Sequence, residues 1–176
     1  MGVRGAVQYA HLSMVVLRCT QQLLVRLKRF DDLPPVESTT RLGDWYGNIL
    51  RMGRRHALLF ISERSRLPVL IPVREANRLR SVFPGAVCQM LAAVGVSADD
   101  IDDERSRMWE MAYGRTNSRS LLGTLNEFSF GARVHFITAR HDSLEEIARN
   151  LARTPILPLD GARPIDLTRE LFWPAS

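Results

Sequence analysis

The pattern of apolar and polar positions marks three successive strands in the middle of the chain. The first stretch, Trp45 to Met52, sets Trp45, Gly47, Ile49 and Arg51 against Tyr46, Asn48, Leu50 and Met52. Gly53-Arg54 follows as a tight turn, and His56-Ala-Leu-Leu-Phe-Ile-Ser62 is apolar almost throughout, as a strand covered on both faces should be. Glu63-Arg-Ser-Arg66 makes a second turn before Pro68-Val-Leu-Ile-Pro-Val73. Pro72 cannot donate a ladder hydrogen bond, which places this third strand at an edge or ends it there. Upstream, Met14-Val-Val-Leu-Arg-Cys19 reads as a further buried strand, and Met108 to Gly114 alternates Trp109, Met111 and Tyr113 with Glu110 and Ala112 as another.

Between and after the strands the period changes to that of a helix. Leu23, Leu24, Leu27 and Phe30 share one face after Thr20, a candidate N-cap. Ala76, Leu79 and Phe83 share another face, and Pro84-Gly85 predicts a break. Ala86, Val87, Met90, Leu91 and Val94 predict a helix closed by Gly95. Ser97 opens an acidic helical segment in which Asp99 and Asp100 suit the positive end of the helix dipole. Thr116-Asn117-Ser118 precedes a helix with Leu121, Leu122, Leu125 and Phe128 inward, and Gly123 in it suggests close packing. His135 to Thr138 reads as a short strand, and Ser143-Leu-Glu-Glu146 is a capping box. The proline-punctuated tail from Thr154 is expected to lie across the surface, with Ile156, Leu159, Leu171 and Phe172 docked. Strands in meanders and helices in blocks give α+β: a single domain, with an antiparallel or mixed sheet of about five strands and helices packed mainly on one face. The expected division is a disordered extension over 1–13, the domain over 14–172 and a short tail over 173–176. Translation is expected to start at either Met1 or Met14.

Composition narrows the class. A chain of 176 residues with 45% hydrophobic and 24% charged residues is one globular domain's worth. Two cysteines, Cys19 and Cys88, make no disulfide framework, so a reducing cytoplasm is expected. No apolar run approaches the ~20 residues of a membrane span. The net charge of +5 is unevenly placed: residues 51–80 hold eight arginines against Glu63 and Glu75. Such a surplus can draw nucleic acid or an acidic protein surface, although a solvated basic face is the plainer reading.

Four quoted stretches carry a resemblance: LRCTQQLL (17–24), WYGNILRMGRRHALLFISERSRLPVLIP (45–72), GRTNSRSLLGTLNEFSF (114–130) and TPILPL (154–159). The chain resembles the bacterial domain-of-unknown-function family DUF6933, over roughly Met14 to Leu171. The resemblance implies one compact domain of bacterial or mobile-element origin and no reaction. The family's association with accessory genes suggests a toxin–antitoxin or phage-defence component.

The chemistry-bearing candidates are few. Thr116, Asn117, Ser118, Arg119 and Asn126 gather at or near a helix N-terminus, where amides and an arginine can hold phosphate or carboxylate. Capping is the plainer role for them. Asn48 and Arg51 on the first strand, with Glu63, Arg64 and Ser65 at the second turn, are expected to share a rim with that helix start. Glu63 is expected to pair with Arg119 or Arg51. Arg54, Arg55 and His56 form a hairpin tip able to touch a phosphate backbone. The four histidines form no metal-binding spacing, Asp99 to Glu104 lacks the ligand spacing of a calcium loop, and no phosphate-binding glycine loop is present. No metal or cofactor is therefore expected. Both cysteines and tryptophans 45 and 109 are expected in the core, and Trp173 partly exposed. The leading expectation is a non-enzymatic binding module that meets a protein or nucleic acid through the basic rim. The alternative is an enzyme for a phosphate-containing substrate built on Arg51, Glu63, Asn117 and Arg119, with Glu63 and Arg119 as catalytic candidates.

Overall fold

The computed structural model describes residues 13–29, 36–139 and 143–173. The expected extension, apart from Ser13, and the tail beyond Trp173 lie outside these residues. One sheet of five strands organises the molecule. In chain order the elements begin with β1 (Met14–Cys19), α1 (Gln21–Leu27), β2 (Trp45–Met52), β3 (Arg55–Ser62) and β4 (Pro68–Pro72). A 3-10 segment (Val73–Arg78) then leads into α2 (Leu79–Ala93), α3 (Ala98–Ser106), β5 (Glu110–Arg115) and α4 (Arg119–Thr138). The chain ends with α5 (Leu144–Ala152), a 3-10 turn (Leu157–Leu159) and α6 (Pro164–Phe172). The spatial order is β4-β3-β2-β1-β5. β2, β3 and β4 form an antiparallel meander, whereas β1 lies parallel to both β2 and β5. The sheet is mixed, and the chain is a single α+β domain. β4 is an edge strand, as its two prolines require.

Both faces of the meander are buried, as the unbroken apolar run of β3 dictates: Ala57 through Ser62 are all inaccessible. On one face Phe83 of α2 meets the rings of Trp45 and Phe60 edge-on, at centroid distances of 5.3 and 5.2 Å. Gly47, paired with Phe60, leaves room for that ring and for Leu23 of α1. Side chains of opposite parity, among them Tyr46, Leu50, Leu59 and Ile61, are equally buried, and α4 packs across β2 and β3. Helices thus cover both faces, where the sequence suggested mainly one.

Four local expectations are corrected. Pro84-Gly85 does not break a helix: α2 runs through it, because Phe83, Val87, Met90 and Leu91 bury one continuous face. The residues 135–138 are not a strand but the last turn of α4, a helix of 20 residues. Gly123 has no neighbour within 4 Å of an added Cβ, so it serves no close packing; Gly131 does, 3.1 Å from Leu151 of α5. The tail carries a helix of its own, α6, with Ile165, Thr168 and Phe172 buried. The Ser143 capping box is complete in both directions. No described helix is long and apolar enough to cross a membrane.

Candidate functional site

At the carboxyl ends of the parallel pair β1 and β5 the chain leaves in two directions. α1 goes to the face of Phe60, while α4 crosses the opposite one. Such a parting of connections opens a crevice at strand ends, where ligands of α/β sheets bind. Here it forms a polar cavity of about 440 Å³ lined by Arg18, Ser38, Asp44, Tyr46, Glu63 and Asn117 among others. Arg18 Nε donates to Asp44 Oδ2 at 2.9 Å. The Ser38 amide and hydroxyl both donate to Asp44 Oδ1, at 3.1 and 2.8 Å. The Asp44 amide in turn donates to Glu63 Oε2 at 3.0 Å. Tyr46 donates its phenol proton to Asn117 Oδ1. Burial, reinforced by the charges of Glu63 and Asp44, raises the Tyr46 pKa against the opposing pull of Arg18 and Arg66. The phenol therefore stays a donor. Gly114 sits beside Arg18 on β5, where an added Cβ would stand 3.1 Å from its guanidinium.

The turn that carries Glu63 is pinned from inside. Ser62 and Ser65 hydroxyls lie 2.8 Å apart, the Leu67 amide donates to Ser62 Oγ at 3.0 Å, and Thr168 of α6 reaches the Ser65 hydroxyl at 2.9 Å. Arg66 adopts the left-handed conformation and donates to the Glu63 carbonyl. Its charge faces Glu63 and Tyr46, while burial lowers its pKa.

The sequence-predicted residues divide between separate places. Glu63, Arg64 and Asn117 line the cavity. Arg64 Nη1 donates to the Arg41 carbonyl at 3.1 Å. Ser118 caps α4, its hydroxyl accepting from the Leu121 amide at 3.3 Å, and Thr116 stands half-buried just before it. Arg119 is exposed and does not line the cavity, and Asn126 lies exposed two turns further along α4. Asn48 Oδ1 accepts the Thr20 hydroxyl at 2.7 Å and the Ile49 amide at 2.8 Å, fastening the start of α1 to β2. Arg51, Arg54 and Arg55 lie towards the opposite end of the β2–β3 hairpin, about 17 to 26 Å from Tyr46 at ~3.3 Å per residue. The two turn tips therefore do not share one rim. Arg51 is too far from Glu63 to pair with it, and the described partner of the Glu63 carboxylate is the Asp44 amide.

Sequence reasoning missed Arg18, Ser38, Asp44 and Tyr46, because they converge only through the parallel pairing of β1 with β2. It also missed Glu104, a fully buried carboxylate inside the acidic run. Glu104 accepts the amides of Arg41 and Leu42 at 2.8 and 3.1 Å and anchors the loop that leads to Asp44. Burial raises its pKa, against those two hydrogen bonds and the charges of Arg107 and Arg41. Its three-residue spacing from Ile101 was the available signal. Among the described residues no group of three or more His, Cys, Asp or Glu is placed to hold a metal. Cys19 is buried, its pKa pushed up to about 12 by desolvation, and Cys88 is half-buried with its own pKa raised by burial. Both cysteines are free thiols.

A second concavity, about 660 Å³, lies between α2 and α3 and is lined by Arg80, Pro84, Arg105, Met108 and Trp109, with Asp102 among its other walls. Trp109 was expected in the core, yet it is 77% exposed. Strand alternation sends Met108, Ala112 and Gly114 inward, and Trp109 falls one residue before β5 begins, where none of the described strands pairs with it. Arg80 reaches Glu110 at 2.8 Å.

No curated protein and no solved structure matches this chain. A family model does, described as a domain of unknown function (DUF6933), and it spans residues 16–167. That span takes in the sheet from Val16 of β1 onward, the polar crevice and the Trp109 groove, and the chain belongs to the DUF6933 family.

Proposed function

We propose that this chain is a non-enzymatic interaction module that seats a segment of a protein partner in the groove between α2 and α3. The observation that carries this reading is Trp109, a large aromatic side chain 77% exposed beside Met108 and Pro84, with Arg80 and Arg105 at the lips. Tryptophan and arginine are the residue types that most often anchor protein interfaces. The partner segment fitting this groove has an apolar side chain to cover the indole and an acidic group for Arg105, since Arg80 already meets Glu110. Nucleic acid is less well supported: Arg74 and Arg78 contact Glu75, and Arg80 contacts Glu110, so no unbroken basic strip runs from Arg54 to Arg80. An enzyme is less well supported too, since Arg51 and Arg119 stay outside the crevice that holds Glu63 and Asn117. The two free thiols and the family resemblance fit a bacterial cytoplasm, which we propose as its setting.

Affinity purification of the tagged chain from its own cells tests the reading, with wild type compared against Trp109→Ala. A protein retained by the wild type and lost from the variant, at unchanged melting temperature, supports it. Equal retention by both sinks it. Salt-dependent retention on a DNA column that weakens in Arg54→Ala/Arg55→Ala would favour nucleic acid instead.

A further inference from the structure

We infer that the partner segment binds as a further strand, added to the outer edge of β5 beside Trp109. The inference deepens the reading of the α2–α3 groove and rests on it. β5 is one edge of the sheet and β4 is the other. The Glu110 amide donates to the Ser13 carbonyl at 2.9 Å, so Glu110, Ala112 and Gly114 turn their backbone groups toward β1. Peptide groups alternate sides along a strand, so those of Met111 and Tyr113 point away from the sheet. Among the described residues, neither the N–H nor the C=O of Met111 or Tyr113 has a hydrogen-bond partner.

The opposite edge is closed to such pairing. The Ser62 amide donates to the Leu67 carbonyl, which turns the odd-numbered residues of β4 toward β3 and its even-numbered ones outward. Of the outward residues Pro68, Leu70 and Pro72, two carry no N–H, and α5 packs along the strand. Proline and a covering helix both blunt an edge. β5 contains no proline, and β1 is the one described strand paired with it.

The groups left open say what fits them. Met111 and Tyr113 each offer a donor and an acceptor, about 7 Å apart at ~3.3 Å per residue. An extended backbone carries donors and acceptors at that same repeat. A phosphate backbone has acceptors alone and would leave both carbonyls unmet. Alternation also sets the side chains of Trp109, Met111 and Tyr113 in one row on one face of the sheet. A positive charge stands at each end of that row. Arg105 lines the groove with Trp109, and the Arg29 guanidinium lies 4.9 Å from the centre of the Tyr113 ring. Glu110, the one acid on β5, is engaged by Arg80. The strand that complements this edge is therefore apolar opposite Met111 and acidic toward its ends.

Affinity purification of the full tagged chain from its own cells tests the pairing, with Tyr113→Ala, Tyr113→Pro and Met111→Pro beside the wild type. The two outward amides take no part in the β1 ladder, so proline there removes a donor to the partner and none to the sheet. Tyr113→Ala removes the same ring and keeps the amide. The expected result is one protein retained by the wild type and by Tyr113→Ala, and recovered at least about tenfold less from each proline variant. Tyr113→Pro should melt where Tyr113→Ala melts. In the complex of the wild type with that protein, amide exchange at Met111 and Tyr113 should slow at least about tenfold, a readout that depends on no variant folding. Full retention by both proline variants, or unchanged exchange at the two amides, overturns the added strand. Loss of the protein from Trp109→Ala alone would then leave the groove standing without it. Loss from the proline variants with retention by Trp109→Ala keeps the strand and removes the groove. Retention of nothing but an untagged copy of this chain overturns the inference, and so does retention of no protein at all.

Discussion

Gly47 shows how much of this fold depends on an absent side chain. It sits mid-strand on β2 opposite Phe60, and a Cβ there would lie 2.3 and 2.5 Å from two atoms of that ring. The ring is wedged against Phe83 and has no solvent to retreat into. Gly47→Ala is therefore expected to cost about 3 kcal/mol by overpacking, at the upper end for a small-to-large change in a core. Urea unfolding followed by circular dichroism checks this, and a loss below about 1 kcal/mol would mean that the ring moves aside freely. Gly47 was legible in the sequence only as one letter of an alternating strand. Its contact with Phe60 depends on the β2–β3 register, which the turn chemistry of Gly53 sets at a distance. Trp109 is the converse case. Its alternation with Met111 and Tyr113 was legible, but where β5 starts to pair was not, and that start leaves the indole outside. Glu104 was hidden in the same way: an acid in an acidic run reads as solvated until the loop at Arg41 and Leu42 is seen to donate two amides to it.

At the scale of elements the meander was the easiest part to read, because its turns and its period of two agree with each other. β1, β2, β3 and β4 fall where the residue pattern puts them, whereas β5 begins two residues later than expected. The parallel pairing of β1 with β2 and β5 had no local signal, since it is made through α1 and through the long path from β4 to β5. The helices failed where a local breaker competed with a buried face. Pro84 removes the hydrogen bond that its amide would give to the Arg80 carbonyl, yet the face of Phe83 and Val87 holds α2 together across it. Replacing that proline restores the missing donor without disturbing the buried face. Pro84→Ala is accordingly expected to stabilise the protein by about 2 kcal/mol, less a few tenths for the freer unfolded chain. Thermal and urea denaturation measure it, and destabilisation would show that the proline ring is needed where it stands. The C-terminal turn of α4 was read as a strand because His135-Phe-Ile-Thr138 is rich in β-formers, but about four preceding helical turns override that short run of propensity.

For the whole molecule, the charge surplus of residues 51–80 was the sequence's most prominent functional hint, and the fold disperses it. The hairpin tip takes Arg54 and Arg55 to one end of β2, the second turn takes Arg64 and Arg66 to the other, and Arg74, Arg78 and Arg80 meet Glu75 and Glu110. What remains on the surface is aromatic: Trp109 in its groove. The proposed contact with another protein lies at the α2–α3 groove. Site-directed photocrosslinking in living cells tests this most directly. A benzophenone side chain placed at position 109 is compared with one at Leu157, which is 83% exposed and lies far from the groove in sequence. The predicted result is one discrete protein adduct from position 109 that is absent from position 157. The same pattern of adducts from both positions, or none from position 109, would contradict it.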